Sequence, residues 1–176
     1  MKSKSGPRTK VINSIISTLK SPEIYNTINY RKQSEDKIKQ FMYPYLLNKI
    51  AKLYEDQDKV SPKTAKKKAK EGLLWEGNVK TTVSNKLFLG AQHRPDFVVE
   101  YKDLTIAIEI KRGDNGSSLR EGIGQSQVYS THFDFTICLF IDTSKEKKIL
   151  NASTSDEEKK FINRMWRNSN IKFIVV

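Results

Sequence analysis

The hydrophobic period of this chain changes near Lys80, from helix-like spacing before it to strand-like alternation after it. In Thr9 to Lys20 (TKVINSIISTLK), Val11, Ile12, Ile15, Ile16 and Leu19 recur at helical spacing, which predicts a short amphipathic helix ended by Ser21-Pro22. Ser34 suits the N-cap of a second helix, and Glu35 and Asp36 place negative charge in its first turn, where the macrodipole favours it. Ile38, Phe41, Met42, Tyr45, Leu46, Ile50 and Leu53 then form one apolar stripe to about Tyr54. Pro44 predicts a kink in it, since its nitrogen carries no hydrogen for the preceding turn. Ser61 and Pro62 suit the start of a third helix, reaching about Leu74.

Beyond Lys80, Thr81–Leu89, Asp96–Tyr101 and Leu104–Lys111 are β-branched and aromatic and read as strands. The two-residue connection Lys102-Asp103 predicts a hairpin between the last two. Gly113 to Ser118 (GDNGSS) is a loop, with Ser117 or Ser118 as cap for a helix to about Thr131. Phe133–Asp142 is almost wholly apolar, as a strand covered on both faces would be. Thr154-x-x-Glu157 and Ser155-x-x-Glu158 are both capping-box patterns for a helix to about Arg167, and Ile171–Val176 closes the chain as a strand. The expected order is two or three helices followed by β-β-β-α-β-α-β. That is an α/β fold with a mixed sheet, because a helical crossover makes the strand after it parallel. The expected organisation is a basic segment with a short helix over residues 1–33 and one domain over residues 34–176, with a basic helical insertion at about 59–79.

Charge adds a partner to this picture. Residues 1–80 hold 18 Lys/Arg against 8 Asp/Glu, and residues 81–176 hold 14 against 12, within a net charge of +12. A basic half joined to a nearly neutral half points to a polyanion. The densest stretch is Lys59 to Lys70, where Lys63, Lys66, Lys67, Lys68 and Lys70 are either a solvated helix face or a grip on backbone phosphates. No apolar run approaches the roughly 18 residues of a membrane span, and no apolar segment follows the charged N-terminus to make a signal peptide. The single cysteine, Cys138, lies in an apolar run and reads as structural, so an intracellular, reducing, cytoplasmic setting is expected.

The chemistry concentrates between Arg94 and Tyr129. Alternation along Leu104–Lys111 puts Leu104, Ile106, Ile108 and Ile110 on one face and Thr105, Ala107, Glu109 and Lys111 on the other. If the preceding strand carries Asp96, 13 residues before Glu109, on the second face, two carboxylates converge beside a lysine. Two anionic oxygen donors close together call for a cation between them, and oxygen donors select a hard ion such as Mg2+ or Mn2+. The competing description is a surface Glu–Lys pair with an unrelated turn aspartate.

Pro95-Asp96 and Glu109-Ile110-Lys111 on successive strands resemble the PD-(D/E)xK nuclease superfamily, whose restriction-endonuclease-like core has the order αβββαβ. Gln125-Ser126-Gln127-Val128-Tyr129 on the following helix matches the Q-x-x-x-Y motif of RecB-like and λ-exonuclease-like members. The Asp-to-Glu spacing is also similar to that of archaeal Holliday-junction resolvases. The resemblance covers roughly residues 34–142. It implies a Mg2+- or Mn2+-dependent DNA nuclease, with Asp96, Glu109 and the carbonyl of Ile110 as metal ligands and Lys111 as the catalytic lysine. It further implies a carboxylate from the first core helix, for which Glu35 is the first choice and Glu71 and Glu76 are rivals. Gln125 and Tyr129, on one helix face, would contact a phosphate or orient the ligands, with Tyr129 as plain core the competing view. Arg94, Arg112 and Arg120 are candidate backbone contacts, and His93 reads as a loop histidine. The implied partner is single- or double-stranded DNA, and a homodimer would supply the two sites that double-strand cutting needs. A junction resolvase and a non-catalytic nucleic-acid binder of the same fold are the alternatives.

Overall fold

The computed structural model describes residues 6–78 and 83–176. Its centre is a mixed five-stranded sheet flanked by helices, an α/β architecture. The elements of the sheet and its covers are α1 (Pro7–Leu19), α2 (Pro22–Asn26), α3 (Glu35–Asp58), α4 (Pro62–Gly72), β1 (Leu73–Trp75), β2 (Lys86–Phe88), β3 (Ala91–His93), β4 (Phe97–Tyr101), β5 (Leu104–Gly113), α5 (Gly116–Tyr129), β6 (Phe135–Asp142), α6 (Asp156–Ser169) and β7 (Ile171–Val175). The strand order is β1-β4-β5-β6-β7, antiparallel from β1 to β5 and parallel from β5 to β7.

The alternation of β5 decides which helices lie on which face. Leu104, Ile106, Ile108 and Ile110 are all buried in the main core, together with Val11, Ile12, Ile15 and Leu19 of α1 and Ile38, Met42, Leu46 and Ile50 of α3. Each of these side chains contributes about 1.5–3 kcal/mol by leaving water. Ala65 and Ala69 carry α4 onto the same core. The opposite face of the sheet lies under α5 and α6, where Cys138, Met165 and Ile171 form a second, smaller cluster.

Several boundaries differ from the sequence expectation. The third helix stops at Gly72, and Leu73–Trp75 leave it to pair with β4 as the edge strand β1. The change comes where the backbone passes close to β4: a Cβ on Gly72 would lie 2.3 Å from the Glu100 carbonyl oxygen. Of the strand expected over Thr81–Leu89, the described residues from Val83 onward are no part of the main sheet. Thr81 and Thr82 lie outside the described residues, and from Lys86 the chain forms a separate two-stranded hairpin, β2–β3. Leu89 and Gly90, at φ 50° and 80°, turn that hairpin and prevent a longer strand. The helix after β5 is capped by Asn115, whose Oδ1 accepts the Ser117 N–H at 2.9 Å, and not by either serine; it ends at Tyr129. α3 runs unbroken through Pro44, which sits on its solvent side, and extends beyond Tyr54 to Asp58. α2 has no counterpart in the sequence reading. The Ser155 capping box is formed, with both of its hydrogen bonds present.

No described helix is long and apolar enough to cross a membrane.

Candidate active site

The β4–β5 hairpin turns at Lys102-Asp103 with Phe97 opposite Ile108. One step further, Asp96 falls opposite Glu109, so alternation puts both carboxylates on the face away from the aliphatic core. Asp96 is 5% exposed and Glu109 2%. The strand register therefore delivers the convergence that the sequence left conditional.

Two cations attend this pair. Lys111 Nζ lies 3.2 Å from Glu109 Oε1 and 3.0 Å from Glu121 Oε1 of α5. The second cation is Lys39, which sequence reasoning missed. Its Nζ stands 2.5 Å from Asp96 Oδ1, 2.8 Å from Glu76 Oε1, 3.2 Å from Glu35 Oε1 and 3.7 Å from Asp36 Oδ1. The other Asp96 oxygen, Oδ2, accepts the Ile110 N–H at 2.6 Å. A signal for Lys39 was available: it follows Ile38 and precedes Met42 by three residues, inside the buried stripe of α3. A lysine so placed is rarely buried without a carboxylate partner.

Glu35 and Glu76 are therefore both at the cluster, each through Lys39. Glu71 is not: it is an exposed residue facing Lys67 across one helical turn. Tyr129 is buried, with its ring on the site side of α5, and its hydroxyl is held in the neutral form by burial and by the Glu109 and Asp96 charges. Gln125 lies one turn earlier, and its Oε1 is buried without a hydrogen-bond partner. α5 comes this close because Gly122 has no side chain; a Cβ there would lie 3.0 Å from Lys111 Cγ.

The basic residues divide. Arg94 reaches the cluster, with Nε 3.5 Å from Glu76 Oε2. Arg112 follows Lys111 and donates to the Arg31 carbonyl at 2.9 Å. Arg120 is exposed on α5. Lys63, Lys66, Lys67, Lys68 and Lys70 are all exposed on α4. Lys68 Nζ sits 5.3 Å from the Tyr54 ring, and Tyr54 lies ~22 Å along α3 from Lys39 at the usual helical rise. His93 ends β3 in the loop that leads to Asp96, and Cys138 is buried in β6.

The electrostatics set Glu109 apart. Burial pushes its carboxyl up to about 8, the Asp96 charge adds to that, and Lys111 opposes it. Burial likewise raises Asp96 to about 7 against the pull of Lys39. Burial by itself would lower Lys39, but Asp96, Glu76 and Glu35 outweigh it and hold the ammonium firmly charged. Glu76 is lowered from its ordinary value, because Lys39 more than offsets its burial.

Glu109 Oε2 is buried with no hydrogen-bond partner. Asp142, also fully buried, shows the contrasting case: its two oxygens accept N–H groups of Ser144, Ile149 and Leu150 at 2.8–3.0 Å, which serves the fold. A buried carboxylate oxygen with nothing to accept calls for an ion or a donor from outside the chain. Asp96 and Glu109 together offer oxygen donors only, which suits a hard divalent ion. Among the described residues, no three His, Cys, Asp or Glu side chains already form a metal cage. Lys39 stands among the carboxylates instead.

Compared with known family models, with curated proteins and with solved structures, the chain finds no match in any of the three.

Proposed function

We propose that this chain is a divalent-metal-dependent nuclease of the PD-(D/E)xK type, hydrolysing phosphodiester bonds of DNA. The observation that carries the reading is the buried Asp96–Glu109 pair with Lys111 beside it and Glu109 Oε2 unsatisfied. The motif order and the sheet order β1-β4-β5-β6 behind α3 are consistent with it.

Asp96, Glu109 and the backbone at Ile110 would hold Mg2+ or Mn2+, with Glu35 or Glu76 as a further carboxylate. Such an ion lowers the pKa of bound water and neutralises charge on the phosphoryl oxygens. Lys111, held charged between Glu109 and Glu121, stabilises negative charge as it develops at phosphorus. Gln125, whose Oε1 is buried without a partner, would orient water or a ligand group. Tyr129 fixes the position of the Glu109 carboxylate. Arg94, at the rim, takes a flanking phosphate.

Lys39 favours a second reading. Its ion pair with Asp96 leaves the cluster without an open cation position, as in a nucleic-acid binder that keeps the fold but not the chemistry. One experiment separates the two: incubate wild type, Asp96→Asn, Glu109→Gln and Lys111→Met with plasmid and with labelled strands, in Mg2+, Mn2+ or EDTA. Metal-dependent cleavage lost in all three variants supports the nuclease. Retardation with no product in any metal supports the binder, and wild-type cleavage by Glu109→Gln removes the proposed site.

A further inference from the structure

Between Glu76 and Asp96 the chain leaves the main sheet and comes back to the place it left. Glu76 N–H donates to the Asp96 carbonyl at 3.2 Å, so both ends of the excursion are pinned at the carboxylate cluster. Its described outer part is the β2–β3 hairpin, paired Lys86↔His93, Leu87↔Gln92 and Phe88↔Ala91. The segment after α5 braces it: His132 Nε2 lies 3.2 Å from the Leu87 carbonyl oxygen, and Lys86 Nζ 5.4 Å from the Phe133 ring.

The hairpin ends in an apolar tip in water. Leu87 is 61% exposed, Phe88 41% and Leu89 93%. Leu89 also has a φ of 50°. That conformation suits glycine or asparagine in a two-residue turn and penalises an aliphatic side chain. The other described non-glycine residues at positive φ are Lys59, Lys102, Lys147 and Asn170, all polar. Leu89 is thus disfavoured twice, by its backbone and by its exposure, and strain retained at an exposed apolar residue points to a use. The surroundings indicate which use. From Gly77 to Pro95 the sequence carries Lys80, Lys86 and Arg94 and no carboxylate.

We infer that the Leu87-Phe88-Leu89 tip is a wedge for nucleic acid, inserted against stacked bases while Lys86 and Arg94, at the base of the hairpin, hold the adjoining phosphates. An apolar point flanked by positive charge and rooted at a phosphodiester-directed cluster complements a base stack edged by phosphates. This inference rests on the nucleic-acid reading above but not on catalysis.

The test uses the full-length chain in EDTA with oligonucleotides carrying 2-aminopurine at successive positions. Leu89→Asn is the variant of choice, because asparagine accepts the turn and keeps the hairpin. Wild type at saturation raises 2-aminopurine emission severalfold at one position; Leu89→Asn loses that rise while still binding, as fluorescence anisotropy reports. Equal emission from the two proteins overturns the wedge. So does a dimer in sedimentation that Leu89→Asn dissolves, which makes the tip a contact between copies. Binding without any emission change removes the wedge alone, whereas absence of binding removes the nucleic-acid reading with it.

Discussion

Replacing Lys39 by methionine isolates the feature that most distinguishes this site. Methionine keeps the length of the side chain and fits the stripe of α3, so the change removes charge and little volume. The Lys39 side chain is 5% exposed and its ammonium meets Asp96 at 2.5 Å and Glu76 at 2.8 Å. At pH ~9, above the raised Asp96 carboxyl, removing one member of a buried ion pair costs about 3–5 kcal/mol, because the partner charge stays behind or must take up a proton. At about 2–4 °C per kcal/mol for a chain of this size, the melting temperature in EDTA should fall by roughly 6–20 °C. The carboxylates left behind should then take a divalent ion in place of the ammonium. Millimolar Mn2+ at about 100 times its Kd would restore ~2.7 kcal/mol, far more than the same ion gives wild type. Thermal unfolding by circular dichroism, with and without Mn2+, measures both effects, and the double variant Lys39→Met/Asp96→Asn should recover much of the loss. A melting temperature within about 2 °C of wild type in EDTA, on the scale just used, would refute the reasoning that Lys39 counterbalances a buried charge.

Three further outcomes follow from the same geometry. Glu109 has its carboxyl raised from 4.5 to about 8, so the folded state binds more protons than the unfolded between those values and stability drains as pH rises through them. Glu109→Gln should therefore be more stable than wild type at pH ~9 in EDTA, by on the order of 5 kcal/mol, with the difference gone near pH ~4; urea titrations that show no pH dependence in the difference contradict this. Gly72→Ala should destabilise by about 1–3 kcal/mol or prevent folding, since its Cβ would meet the Glu100 carbonyl at 2.3 Å, and a neutral result in urea unfolding counts against the close approach. Ser155→Ala removes the acceptor for the Glu158 N–H at 3.2 Å and should cost about 1 kcal/mol, read as a lower urea midpoint with unchanged slope.

Local pattern and structure agree where one element answers to one pattern. The β5 alternation, the two-residue turn at Lys102-Asp103, the wholly buried β6 and the Ser155 capping box all appear in the structure as the sequence implies. The errors fall where two patterns competed. Leu73–Trp75 continue an apolar helical spacing and also suit a strand, and pairing with β4 decided between them. Leu87 and Phe88 have strand character, but the tight turn at Leu89-Gly90 folds the chain back so that they pair within their own hairpin.

The candidate site divides in the same way. Asp96, Glu109, Lys111, Gln125 and Tyr129 were legible because each sits at a fixed offset within a strand, a hairpin or a helix face, and such periodicity is written in sequence. Which upstream carboxylates join them was not legible, because Glu35 and Glu76 reach the cluster from elements whose approach depends on packing. Lys39 left a partial signal, since its place in the buried stripe of α3 calls for a carboxylate partner, but which carboxylate meets it depends on where the end of another strand comes to lie. The sequence by itself determined the α/β class and the faces of β5, both consequences of local geometry, while the register of β4 on β5 brought Asp96 opposite Glu109. The tertiary structure alone decided that a buried ammonium stands among four carboxylates and that an apolar hairpin rises from their edge. Charges and exposed side chains acquire their energies from what folding places next to them.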